Sequence, residues 1–230
     1  MKMTIKKINV ALETGEKRTF ASALEWPGWA RSGLSEAEAI NTLLAYGTRY
    51  QQAIITSVIK FDVPKSAAPF EVVERLKGNA TTDFGAPNMI PATDTTPLDT
   101  DTLKHLQAIL EACWKYFKDV VVATEGKSLR KGPRGGGRSL EKIVDHVLEA
   151  HHYYLRKIYW REPYKRDSDI SAMVKTMIQA DIKALEFATS GEMPETGPHG
   201  GKLWPPRYFI RRAAWHILDH TWEIEDKVEG

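Results

Sequence analysis

The apolar positions of this chain change period several times within its first third and are helical throughout from Asp101 onward. Early on they alternate over short runs: Ile8, Val10 and Leu12 recur every second residue, Thr14-Gly15-Glu16 has turn composition, and residues 20–24 read as a second extended run. Two such runs around a glycine predict a β-hairpin. Trp26-Pro27-Gly28-Trp29 then breaks the alternation. Ser35 stands three residues before Glu38, the spacing of a capping box, and Ala37, Ile40, Leu44, Gly47 and Ile54 carry the buried side of a helix expected to reach about residue 58. Residues 70–76 read as a further strand, so residues 1–76 predict a small α+β module.

Residues 77–100 have linker composition, with Gly78, Asn79, Gly85, Pro87, Pro91 and Pro97 set among threonines and aspartates. From Asp101 onward the period is helical. Leu103, Leu106, Leu110, Trp114, Phe117 and Val121 form one stripe; Leu140, Ile143, Val144, Val147, His151, Tyr154 and Ile158 form a second. Met173, Met177, Ala180, Ala184 and Phe187 form a third, with Ser168 as its expected cap. Ile210, Ala214, Ile217, Thr221 and Ile224 form a fourth, entered through Pro205-Pro206. Residues 101–230 therefore predict an all-α up-down four-helix bundle, an architecture that commonly holds metal between facing helices.

Composition adds bounds. With 230 residues and 42% hydrophobic content the chain can bury a sizeable core. No apolar run approaches the roughly 18 residues of a membrane span, and the first residues lack the apolar segment of a signal peptide, so a cytoplasmic protein is expected. The single cysteine, Cys113, falls on an apolar stripe and reads as a core hydrophobe. A net charge of +2, spread evenly over the two halves, gives no reason to expect nucleic acid as a partner. The only basic cluster runs from Arg130 to Arg138 through Gly132, Gly135, Gly136 and Gly137; it reads as a solvated loop or an anion-binding flap.

The candidate chemistry lies in the last helix. His216 and His220 are four residues apart, one above the other on a flank, and can chelate one ion. A third imidazole from another helix would leave an open coordination position of the catalytic type. Two histidines of the second helix compete for that place. At about 100° per residue, His151 falls near the centre of its stripe, where a hydrogen-bonded core role is the usual one, whereas His146 lies about 130° away, on the flank. That favours His146. His152 points away from both positions, and His105 and His199 read as surface residues. Glu223 follows His220 by three residues and is the candidate for orienting a ligand or acting as a base; Asp145 and Glu149 face outward. Tyr153, Trp160, Tyr208 and Trp215 are candidate pocket aromatics, and Arg207 and Arg211 candidate carboxylate binders, with core and surface as their ordinary alternatives.

Two resemblances rest on these residues. Leu140-Glu141-Lys142-Ile143-Val144-Asp145-His146-Val147-Leu148-Glu149, followed two helices later by the His216-x-x-x-His220 pair, resembles the DinB-like family of four-helix-bundle metalloproteins over residues 101–228. The resemblance implies that His146, His216 and His220 bind one divalent metal, commonly zinc or nickel. Glu25-Trp26-Pro27-Gly28-Trp29, Gly33 and Ser35-Glu36-Ala37-Glu38-Ala39 resemble the HicB family of antitoxin-like domains over residues 5–76, with Ser35 where that family has threonine. That implies a partner-binding or structural module, and no DNA-binding segment of the usual antitoxin kind follows it.

The expected function is a metal-dependent enzyme acting on a small-molecule substrate, transferase-like toward thiols or hydrolase-like. The alternatives are a regulatory, antitoxin-like protein whose partner binds the N-terminal module, and a metal-stabilised protein without turnover. A homodimer is implied by the DinB-like resemblance, with Trp204, Tyr208 and Trp222 as the exposed aromatics that would cover one another.

Overall fold

The structure, a computed structural model, describes residues 7–131, 137–163 and 169–229. Strands β1 (Ile8–Thr14) and β2 (Thr19–Ala23) form the expected hairpin, with Leu12 opposite Ala21 and Thr14 opposite Thr19. Its turn is closed by Gly15 N donating to Arg18 O and clasped by the Asp83 carboxylate, which accepts from the backbone of Glu16 and Lys17. A Cβ at Gly15 would lie 2.3 Å from Asp83 Oδ1, which is why the position takes glycine.

A strand the alternation did not announce, β3 (Ala30–Gly33), pairs antiparallel with β2. It exists because the Trp26-Pro27-Gly28-Trp29 turn folds the chain back, with Gly28 at φ +92° and Ala23 N donating to Trp29 O. Strand β4 (Phe70–Lys77) lies parallel to β1 on the other edge, giving the order β3-β2-β1-β4. Between β3 and β4 the single expected helix is two. Helix α1 (Glu36–Ala45) starts at Ser35, whose hydroxyl accepts from Glu38 N while the Glu38 carboxylate accepts from Leu34 N. The helix breaks at Tyr46, and α2 (Gly47–Ala53) ends short of residue 58.

Residues 77–100 hold a short helix, α3 (Ala80–Phe84), and a 3-10 turn, Ala92–Thr95. Ala86 and Leu98 pack on the core, and buried polar groups fasten the stretch further. The buried Glu13 carboxylate accepts from Thr82 Oγ1 and from the backbone of Asn88 and Met89, and Asp94, with no exposed surface, pairs with Arg211.

Four long helices follow: α4 (Thr100–Thr124), α5 (Leu140–Lys157), α6 (Ile170–Thr189) and α7 (Pro206–Lys227). Asp99, Ser139 and Asp169 cap the first three by accepting from backbone N–H groups. Asp169 is the cap where Ser168 was expected; Ser168 and the glycines of the basic loop, Gly132, Gly135 and Gly136, lie outside the described residues. Helix α7 packs against α4 and α5, and α6 packs mainly against α4.

One continuous core joins the sheet to the long helices, from Val10, Leu12, Trp29 and Tyr50 through Leu110 and Trp114 to Ile217, Leu218 and Trp222. As a result α7 is buried almost all round from Tyr208 to Trp222, with Asp219 half-exposed, although its sequence carries a single apolar stripe. The sheet side covers what would otherwise be its wet face. There Arg211 meets Asp94, Arg31 meets Asp219 at 2.9 Å, and Arg49 meets Glu225 at 2.6 Å and Asp226 at 2.9 Å. Gly28 packs directly on Ala214 and Leu218.

Candidate metal centre

The inward-facing flanks of α5 and α7 meet at three imidazoles. His146 comes from α5, His216 and His220 from α7, and one ring nitrogen of each lies within 4.8 Å of the others. His146 Nε2 and His216 Nε2 are 3.3 Å apart. Two nitrogens bound to one tetrahedral ion at about 2.0–2.1 Å stand about 3.3 Å apart, so this pair has the spacing a zinc-like ion requires. His216 and His220 are buried and His146 is half-buried.

The remaining ring nitrogen of His220 is already engaged. Its Nδ1 lies 2.7 Å from Glu223 Oε2, and Lys227 Nζ donates to Glu223 Oε1 at 2.5 Å. An ionised Glu223 accepts from Nδ1–H, which leaves the Nε2 lone pair free to face the other two rings. Hydrogen bonding to His220, ahead of the Lys227 contact, pulls the Glu223 pKa down to about 2. Burial, assisted by the other histidines and Arg212, pushes His216 well below the ordinary imidazole range, and burial does the same more mildly for His146. Both rings are thus neutral near pH 7, the form that donates a lone pair to a metal. The donor set can hold a divalent first-row ion, and nothing in three imidazoles selects one metal from that row.

His151 sits elsewhere. Its Nε2 is 2.6 Å from Asp181 Oδ1 in the core, and Trp114 Nε1 donates to Asp181 Oδ2 at 2.9 Å. This is the hydrogen-bonded core role its place on the stripe suggested; the partner, Asp181 on α6, was not visible in the sequence. His152 is buried, and His105 is exposed beside the Trp26 ring. The side chain of His199 lies outside the described residues. Cys113 is fully buried, and burial pushes its thiol pKa up.

Several pocket candidates are corrected. Arg211 is not available to a substrate: its Nε and Nη2 donate to the two oxygens of Asp94 at 2.7 Å each, and its Nη1 and Nη2 also donate to Ala23 O and Leu24 O. Tyr153 points to solvent, 51% exposed, and Trp160 packs on Phe187. Arg207 lines a separate cavity of about 400 Å³ with Trp26, Phe61 and His105. Trp204 is half-buried and Tyr208 and Trp222 are buried, stacked edge-on with Tyr208 and Trp204 against each other and Trp222 against Tyr46, so they form no exposed aromatic patch. The groups that do flank the centre are one residue along: Tyr154, whose ring is 5.6 Å from that of His216, and Arg212, which lies over Tyr154.

No protein-family model, curated protein or solved structure matches this chain.

Proposed function

We propose that this chain is a divalent-metal-binding protein of the DinB-like kind, with residues 101–230 forming an up-down four-helix bundle and zinc or nickel held by His146, His216 and His220. The observation that supports this most is the convergence of three imidazole nitrogens from two helices, with His220 held in the ligating tautomer by Glu223. Three protein ligands leave a position for a substrate or a nucleophile. The reading is accordingly a metal-dependent enzyme acting on a small molecule, as a thiol-dependent transferase or a hydrolase.

When bound, the metal supplies Lewis acidity or lowers the pKa of a thiol or water. The chain's own contribution is to hold the rings. Glu223 fixes His220, Tyr154 and the His216 ring meet edge to face, and the sheet side of the molecule buttresses α7 through Arg211, Arg31 and Arg49. A cytoplasmic location belongs to the same reading. Where the resemblance implies a homodimer, light scattering should return twice the chain mass.

Elemental analysis of untagged protein tests the metal. The expected result is one equivalent of a divalent first-row ion per chain, lost in His220→Ala. Protein that contains none and takes up none when it is added defeats the proposal. Activity is then sought with low-molecular-weight thiols plus electrophiles, and with simple esters and amides.

A second reading, a regulatory protein whose HicB-like module binds a partner, is favoured by one feature. Strand β4 is an edge on which, among the described residues, no further strand pairs, and its Val73 is 48% exposed. A co-purifying protein released by a Val73→Lys substitution would support it.

A further inference from the structure

The buried guanidinium of Arg212, one turn before His216, makes no ion pair among the described residues. Arg31, Arg49 and Arg211 each meet a carboxylate within 3 Å. Arg212 does not. It is 8% exposed, its Nη1 is buried without a hydrogen-bond partner, and among the described residues no carboxylate pairs with it. Its charge rests between two rings, 4.6 Å from the centre of Trp215 and 5.3 Å from that of Tyr154.

Two more donors stand close by without partners, Tyr208 Oη and Trp215 Nε1, and Tyr208, Arg212 and Trp215 line one cavity between α7 and the sheet. Glu13 lines it too, but its oxygens are taken by Thr82, Asn88 and Met89. Positions 208, 212 and 216 follow at one-turn intervals, so Arg212 stands one turn before the metal ligand His216. Aromatic faces offset only part of the cost of burying a cation. The imidazoles add no negative charge, and Glu223 is already balanced by Lys227. Three buried donors, one of them a cation, thus face this cavity without an acceptor.

We propose that Arg212, with Tyr208 Oη and Trp215 Nε1, binds the carboxylate of a small substrate whose reacting group lies at the three-histidine centre. This rests on the metal-dependent reading above. The class follows from shape and room. A guanidinium fork matches a planar carboxylate, and the cavity, about 20 Å³, has room for one carboxylate oxygen at the donors.

Calorimetry on zinc-loaded protein tests it, with acetate, pyruvate, benzoate and phenylacetate as probes and inorganic phosphate as the control. At least one carboxylate should bind the wild type, and Arg212→Met should weaken it by about tenfold or more while zinc content is unchanged. Tyr208→Phe, which keeps the ring, should weaken it by a smaller factor. Thermal midpoint is the second readout: an arginine kept for structure would lower it when replaced, whereas removing an unmatched buried cation should leave it level or raise it. Equal carboxylate affinity in wild type and Arg212→Met overturns the proposal. So does phosphate binding tighter than every carboxylate, the absence of any carboxylate binding, or a fall in midpoint in Arg212→Met with Tyr208→Phe binding as the wild type does. If the wild type takes up no zinc, the metal-dependent reading fails by itself, and the same titrations on metal-free protein still decide whether Arg212 holds a carboxylate.

Discussion

Glu223 Oε2 lies 2.7 Å from His220 Nδ1, one turn further along the same helix. A carboxylate there can act on the metal ligand or on the substrate, and the two roles leave different traces. Both of its oxygens are engaged, one by His220 and the other by Lys227, and its pKa is held down to about 2, which makes it a weak proton acceptor. Glu223→Gln is therefore expected to lower metal affinity by about 10–100-fold, with little change in turnover once metal is saturating. Competition against a chromophoric chelator measures the first and steady-state kinetics at excess metal the second. A large loss of turnover with metal affinity intact would assign Glu223 the base role instead.

The Asp94–Arg211 pair ties the stretch between the sheet and the helices to the second turn of α7, and both partners are almost fully buried. Removing one side of such a pair strands the other charge, so Asp94→Ala is expected to destabilise by about 3–5 kcal/mol. Replacing both, as Asp94→Leu with Arg211→Met, should cost less than either single change. Urea unfolding of the three variants checks this, and additive losses in the double variant would contradict it.

At Gly28 a Cβ would lie 2.9 Å from Leu218 Cδ1 and 3.3 Å from the Ala214 carbonyl carbon, and the backbone is at φ +92°. Strain and overpacking coincide, so Gly28→Ala is expected to lose about 1–3 kcal/mol. Because the displaced helix carries His216 and His220, metal affinity should fall with it. An alanine variant with unchanged unfolding and unchanged metal uptake would show that α7 is not held from this side.

The histidine cluster was legible because its geometry is local: four-residue spacing stacks His216 on His220, and the phase of one helix separates His146 from His151. What failed depends on which elements meet. The stripe on α7 presupposed one wet face, yet the sheet covers it, so the adjacent Arg211 and Arg212 have opposite fates, the first bound to Asp94 and the second left beside His216. Tyr153 and Tyr154 divide in the same way, exposed and buried. Strand β3 was invisible because residues 30–33 carry no alternation; pairing with β2 makes it a strand. Asp181 could be matched to His151 and Trp114 only once α6 was set against α4 and α5.

The response to acid separates the histidines from Glu223. Burial, first among the causes in each case, holds His152 and His216 below the ordinary imidazole range. A folded-state pKa below the unfolded one means that the folded protein binds fewer protons between the two values. The associated stability is then present above the unfolded pKa, about 6.5, and is lost as pH falls through the folded values. For Glu223, depressed from 4.5 to about 2, the corresponding loss comes only below 4.5. Metal-free protein should accordingly lose stability between about pH 6.5 and 4.5 through its histidines, before carboxylates contribute. Bound metal should be released over the same range, because protons compete for the ligating nitrogens. Thermal midpoints of metal-free protein across that range, for the wild type and for His152→Gln, provide the measurement. The variant should show a shallower decline, and a wild-type curve that is flat until carboxylates titrate would mean that these imidazoles already carry their protons in the folded state.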